Sequence, residues 1–347
     1  MRNIKVLVVD DSLLMRTILL DLIASEKGME VIATAKNGLE GVQMTEKFRP
    51  DVVVMDIQMP QMDGLTALSI IMEKTPTPVV ILSSMDAKDA NVVLESLERG
   101  AVDFISKPVS VGIALFDSDE IRRLSTVIRS AVYANISLPK PVKVSKKPKV
   151  KKKKSASLIQ PIIAIGASTG GPVRISELLS NFPKDLHAYV LIVQHMPPGF
   201  TKMFAERLAG ATGLNVVEAK DGELLIPGKI IIAPGDHHMV VKKQGNSYIV
   251  NLNEGPRVHN VRPAVDITME SVAQVFGPNT IGVLLTGMGR DGAKGMLSIK
   301  RKGGMTIAED ESSCVIYGMP KAAIELDCID FKLPIQKIPT EIMNLLT

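Results

Sequence analysis

Ile162-Ile163-Ala164-Ile165-Gly166-Ala167-Ser168-Thr169-Gly170-Gly171-Pro172 contains both a structural and a chemical signal. The apolar, mostly β-branched run Ile162–Ile165 reads as a buried strand. Small residues then make a tight turn, and Val173-Arg174-Ile175-Ser176-Glu177-Leu178-Leu179 reads as a helix. Gly166-x-Ser168-x-Gly170 fits the strand–turn–helix setting of a nucleophile elbow. The glycines let the backbone turn and leave the hydroxyl exposed at the sheet edge. Free N–H groups at the helix start can hold an oxyanion. A phosphate-binding or merely structural Gly-rich turn competes on equal terms here, because a helix start attracts any anion.

Two more apolar runs extend the pattern. Ala188–Val193 ends in Gln194-His195, and Thr280–Thr286 ends in Gly287-Met288-Gly289-Arg290-Asp291-Gly292. Ser168, His195 and Asp291 thus each follow a buried strand by a few residues, and in a parallel sheet such ends share one edge. Cleaving an ester through a serine takes a nucleophile, a base beside it and an acid that orients the base. His237 and His238, after Lys229–Ala233, are rivals for the base, and one of them could reach the same edge. Asp266, at a helix start, is the rival acid and could instead be a cap or a substrate-facing group. His187 and His259 sit in polar surroundings and read as surface residues.

Composition bounds the class. The 347 residues are 46% apolar and 22% charged, as expected for two ordinary soluble domains. The chain enters strand-like Ile4–Val9 almost at once, unlike a secretory signal, and no run approaches the roughly 20 apolar residues of a membrane span. Two cysteines, Cys314 and Cys328, without ligand spacing point to a reducing cytoplasm and no structural metal. The net charge of +4 is uneven: Lys140 to Lys154 holds nine lysines and no acid, so the remainder is mildly acidic. That Pro-interrupted run reads as a solvated tether rather than a nucleic-acid or lipid patch, since no aromatic or amphipathic pattern is interleaved.

Residues 1–125 alternate five β-branched runs with helical patterns, which implies a parallel sheet covered on both faces. Asp10 and Asp11 end the first run, Asp56 the third, Ser83 the fourth and Lys107 the fifth. Three carboxylates at one edge repel one another and call for a hard cation such as Mg²⁺, while lysine and hydroxyl complement a phosphoryl group. With Met59-Pro60-x-Met62-Asp63-Gly64 and Lys107-Pro108, this segment resembles a two-component receiver domain. The resemblance implies that Asp56 accepts a phosphoryl group from a histidine kinase. It implies that Asp10, Asp11, Asp56 and the backbone of Gln58 serve Mg²⁺. Ser83, Lys107 and Phe104 would then form the phosphoryl switch.

Residues 158–347 resemble the catalytic domain of the chemotaxis protein-glutamate methylesterases. The matching motifs are Ile165–Pro172, Gln194-His195-Met196-Pro197, Ala233–His237, Val261–Asp266 and Leu285–Ala293. The resemblance implies a triad of Ser168, His195 and Asp291, an oxyanion hole that includes the Met288 N–H, and hydrolysis of glutamyl methyl esters on chemoreceptor helices. Glutamine deamidation on the same receptors is a further implied activity, and no metal is implied for the ester step. The chain departs from the family at Ala264, where serine is common. The expected architecture is two doubly wound parallel-sheet domains, flavodoxin-like and Rossmann-like, joined by residues 126–157. Control in cis is expected, with the unphosphorylated receiver blocking the Ser168 edge. A receiver-controlled transcription factor is the alternative. About 190 residues of α/β pattern are too many for a helix-turn-helix module, and no basic recognition helix is evident.

Overall fold

Five β-branched runs build the N-terminal sheet: β1 (Ile4–Val9), β2 (Met29–Ala35), β3 (Val52–Asp56), β4 (Val79–Ser83) and β5 (Asp103–Ser106). The structure is a computed structural model that describes residues 3–84, 87–107, 118–136 and 160–347. Helices α1 (Leu13–Ser25), α2 (Gly38–Phe48), α3 (Gly64–Lys74), α4 (Ala87–Glu98) and α5 (Ser118–Ala131) alternate with the strands. All pairings are parallel, in the order β2-β1-β3-β4-β5. Val52–Met55 and Val79–Leu82 are fully buried because helices cover both faces, hence apolar runs rather than an alternating pattern. Polar residues start the helices locally: Asn37 accepts the Glu40 N–H at 2.8 Å and Asp63 the Thr66 N–H at 2.7 Å. Strand order reverses between β1 and β3, so the residues ending those strands flank the crevice where such sheets bind ligands.

Contact density divides the chain into two units, Met1–Pro141 and Val142–Thr347. The lysine-rich run 140–154 lies outside the described residues. The second unit opens with β6 (Ile162–Ala167), α6 (Gly171–Ser180), β7 (Tyr189–Gln194), α7 (Phe200–Thr212), β8 (Asn215–Glu218) and β9 (Lys229–Ile232). A hairpin follows, β10 (His238–Gln244) and β11 (Ser247–Asn253). The unit closes with α8 (Val265–Phe276), β12 (Thr280–Leu284), α9 (Ala293–Arg301), β13 (Met305–Glu309), α10 (Met319–Glu325), β14 (Phe331–Leu333) and α11 (Ile338–Leu345). Its main sheet is parallel throughout, ordered β14-β13-β12-β6-β7-β9-β8.

Two parallel α/β domains were legible from the sequence; the antiparallel β10–β11 hairpin was not. Its outer half is exposed and polar, so it lacks the apolar run that marks the buried strands. Tyr248 of β11 packs on Phe276 of α8 with ring centroids 4.5 Å apart, which fixes the hairpin to that helix. No helix among the described residues is long and apolar enough to cross a membrane.

Candidate active site

β6 lies between β12 and β7, so the carboxyl end carrying Ser168 is flanked by the ends carrying Asp291 and His195. The β6–β7 register pairs Ala167 with Gln194, and the next residue on each strand is Ser168 and His195. The His195 N–H bonds to the Ala167 carbonyl at 3.2 Å. On the other side, the Ser168 N–H bonds to the Thr286 carbonyl at 3.0 Å. A Cβ on Gly287 would lie 2.8 Å from Ser168 Cβ, so only glycine lets the Gly287-Met288 segment pack against the serine. That contact brings the Gly287-Met288 backbone beside the Ser168 turn.

Asp291 follows β12 and is almost fully buried, and His195 Nε2 lies 2.8 Å from its Oδ2. Its carboxylate accepts backbone N–H groups from Val265 at 2.6 Å and from Asp266 and Gly292 at 3.0 Å each. Val265 and Asp266 begin α8, whose N-cap, Ala264, has no side chain able to cap. Asp291 therefore caps α8 from another loop, satisfying N–H groups that would otherwise be orphaned and gaining from the helix dipole. Burial pushes the Asp291 carboxyl up, but His195 and the Asp266 and Val265 N–H groups outweigh it and hold it below the ordinary 3.8.

The rivals take other roles. Asp266 turns its carboxylate to the Gly295 N–H at 2.8 Å and to His259 Nε2 at 3.0 Å. His259 is exposed, in line with its polar surroundings, and is paired with that acid. His238 is a buried structural histidine, with Nε2 3.0 Å from the Pro256 carbonyl and Nδ1 accepting the Ala264 N–H at 3.1 Å. His237 stays on the surface with Nε2 3.3 Å from Glu254. Ligand atoms of His259, Asp266 and Asp291 lie within 4.8 Å of one another, but these hydrogen bonds already account for that grouping.

Gln194 was not picked out from the sequence. It is buried, and its Nε2 donates to the Ser168 carbonyl at 2.9 Å and to the His195 carbonyl at 3.2 Å. One amide thereby ties the serine turn to the histidine turn. Its position immediately before His195 was the available signal.

In the N-terminal unit, Lys107 Nζ lies 2.9 Å from Asp10 and 2.7 Å from Asp56. Carboxylate oxygens of Asp10, Asp11 and Asp56 fall within 4.8 Å of one another, with Asp11 exposed. Among the described residues, the buried Asp10 Oδ2 has the Lys107 ammonium beside it. This all-oxygen set with an open, solvent-facing member fits a hard divalent cation such as Mg²⁺. Burial pushes the Asp56 carboxyl up, Lys107 opposes it, and the net direction is up. Burial also depresses the Lys107 ammonium, yet Asp56 and Asp10 outweigh this and raise it. Gln58 lines the groove with Asp11, Met59 and Asp63. Ser83 is buried and donates to the Ser84 carbonyl at 2.8 Å. Phe104 is buried with the Arg123 guanidinium 5.8 Å from its ring centroid.

Comparison with known proteins agrees with both halves. Residues 163–342 match the CheB methylesterase family, and residues 6–113 match the response regulator receiver domain. Among relatives, the chain is 44% identical to a protein-glutamate methylesterase/protein-glutamine glutaminase of Pyrococcus horikoshii, covering 99% of this chain and 94% of that one. It is 43% identical to the Thermotoga maritima protein of the same description, covering 99% of each. The crystal structure of the Thermotoga maritima CheB methylesterase catalytic domain is 46% identical, with TM-score 0.53, and covers 54% of this chain and all of that one. With both halves matched in order and relatives aligned over nearly its full length, the chain belongs to the CheB methylesterase family, ester hydrolases that here follow a response-regulator receiver domain.

Proposed function

We propose that this protein hydrolyses glutamyl methyl esters on chemoreceptor helices, and deamidates glutamines there, through an acyl-enzyme on Ser168, under control of phosphorylation at Asp56. The observation that carries the reading is the His195–Asp291 pair, 2.8 Å apart, at the strand ends on either side of Ser168. With Nε2–H donated to Asp291, His195 keeps Nδ1 as the basic nitrogen. It takes the Ser168 proton as the hydroxyl attacks the carbonyl, and Asp291 steadies the imidazolium that forms. Backbone N–H groups near Ser168 and at Met288 hold the oxyanion. His195 returns the proton to the leaving methoxide oxygen, which departs as methanol, or to the leaving amide nitrogen of a glutamine, which departs as ammonia. Water then resolves the acyl-enzyme.

In the receiver, Asp10, Asp11, Asp56 and the Gln58 carbonyl would hold Mg²⁺, which neutralises charge during phosphoryl transfer. Asp56 takes the phosphoryl group from a histidine kinase, and Lys107, now paired with Asp56 and Asp10, is placed to meet the added charge together with Ser83. Phe104 is the aromatic that follows this change, and a cytoplasmic location belongs to the same reading. The deciding experiment is methanol release from methylated receptor membranes, with and without a small phosphodonor. Release that rises with phosphodonor and vanishes in Ser168→Ala is expected; release that persists in Ser168→Ala overturns the serine mechanism.

A further inference from the structure

A carboxylate that the proposed reaction does not use lies beneath the nucleophile. Glu309, the last residue of β13, is fully buried. Its Oε2 accepts the Thr286 N–H at 2.8 Å, and its Oε1 accepts the Ser313 hydroxyl at 2.9 Å. Thr286 is the residue whose carbonyl receives the Ser168 N–H, and its hydroxyl lies 3.1 Å from the Thr169 carbonyl. Glu309 is thus two hydrogen bonds from the Ser168 backbone. A buried carboxylate needs a counter-charge. Arg174, on the helix that follows Ser168, places Nε 3.5 Å from Oε1 and also pairs with Glu177 at 3.0 Å. Burial pushes the Glu309 carboxyl up, Arg174, the Thr286 N–H and Ser313 oppose it, and the net direction is up.

We propose that Glu309 is a positioning residue for the esterase: it holds the Thr286 backbone, and through it the Ser168 turn and the Gly287-Met288 segment, in one register, with Arg174 as the counter-charge that lets a carboxylate occupy the place. The inference rests on Ser168 being the nucleophile. Thr286 immediately precedes the glycine that packs on Ser168, so a shift of this backbone moves nucleophile and oxyanion donors relative to each other. Misplacement of that kind, far from the reacting bond, acts on kcat more than on KM. The Thr286 N–H needs only an acceptor, and the charge on that acceptor is what Arg174 balances. An amide at 309 supplies the acceptor without the charge.

The test uses the full-length chain with acetyl phosphate and methylated receptor membranes, alongside the rate at which a fluorophosphonate labels Ser168. Labelling is read first on the unaltered protein: failure to label Ser168 while ester is hydrolysed removes the serine reading itself, whatever Glu309 does. Glu309→Leu is expected to lower kcat by about ten- to a hundredfold with KM little changed, and to slow labelling in proportion. Glu309→Gln should retain most of both. Unchanged kcat and labelling in Glu309→Leu, or equal losses in Leu and Gln, overturns the proposal. The counter-charge is tested by thermal unfolding. Arg174→Leu should lower Tm clearly when Glu309 is present and much less in the Glu309→Gln background. Equal Tm losses in both backgrounds overturn the pairing; if Glu309→Leu fails to fold, kcat and labelling of Glu309→Gln decide the positioning role, and a loss of about tenfold or more in that variant overturns it.

Discussion

The backbone N–H of Asp266 donates to Asp291 Oδ1 at 3.0 Å, while the Asp266 carboxylate points away to Gly295 and His259. One aspartate supports the other. The start of α8 donates the N–H groups of Val265 and Asp266 to Asp291, which leaves His195 as its side-chain partner. The preorganised amides keep the carboxylate ionised in a dry place, where it can orient an imidazole.

Asp291→Asn and Asp266→Asn should therefore differ in kind. The first removes the charge that steadies the imidazolium and should lower kcat by about 10⁴-fold, less than loss of the serine. The second leaves the backbone donor to Asp291 in place and should lower kcat far less. Steady-state methanol release from receptor membranes distinguishes them. Equal losses would count against Asp291 as the orienting acid.

Ser168→Ala and His195→Ala should each reduce turnover by about 10⁶-fold, because members of such a site act as a unit. Urea unfolding of Ser168→Ala should match the unaltered protein, since one small hydroxyl is removed. Measurable turnover near the original rate in either variant contradicts the assignment.

Acid should expose the same carboxylate. Asp291 sits below its ordinary value of 3.8 in the folded protein. A depressed acid adds stability that is complete above its unfolded value and is lost as pH falls through its folded value. The part of the stability gap between the unaltered protein and Asp291→Asn that comes from this shift should thus be lost only as pH falls below the ordinary carboxylate range. Urea midpoints across an acid series measure it, and a gap that closes already at weakly acidic pH argues against a depressed Asp291.

Gly171→Ala should destabilise the catalytic unit by about 1–3 kcal/mol, the usual result of overpacking a tight core site. A Cβ there would lie 2.0 Å from Gln194 Oε1 and 2.8 Å from Ala167 Cβ. The displaced amide would also loosen its bonds to the Ser168 and His195 carbonyls, so activity should fall with the unfolding midpoint. An unchanged midpoint would show that Gln194 can move without consequence.

Asp56→Asn should abolish phosphoryl incorporation and the rise in esterase activity with phosphodonor, while leaving activity without phosphodonor intact. Mass mapping after phosphotransfer locates the group. A phosphoryl group on another residue excludes Asp56 as the acceptor.

Sequence alone determined the two parallel sheets and the residues at their edges. A strand covered on both faces must be apolar throughout, so Ile162–Ile165, Val52–Met55 and Val79–Leu82 announce themselves, and whatever polar residue ends such a run stands at the sheet edge. Ser168, Asp56 and Lys107 were legible for that reason. Partner choice came from the family resemblance, not from any local pattern. His195 and Asp291 are 96 residues apart, and Asp266, at the start of a helix, is equally able to approach the edge, so no local pattern separates the two acids. Only the packed structure settles that α8 donates to Asp291, that Asp291 does the capping Ala264 cannot, that His238 is spent on two backbone groups, and that Glu309 is buried under Thr286. Those outcomes depend on hydrogen-bond satisfaction between distant loops in a water-free interior, a condition that exists only once the chain has folded.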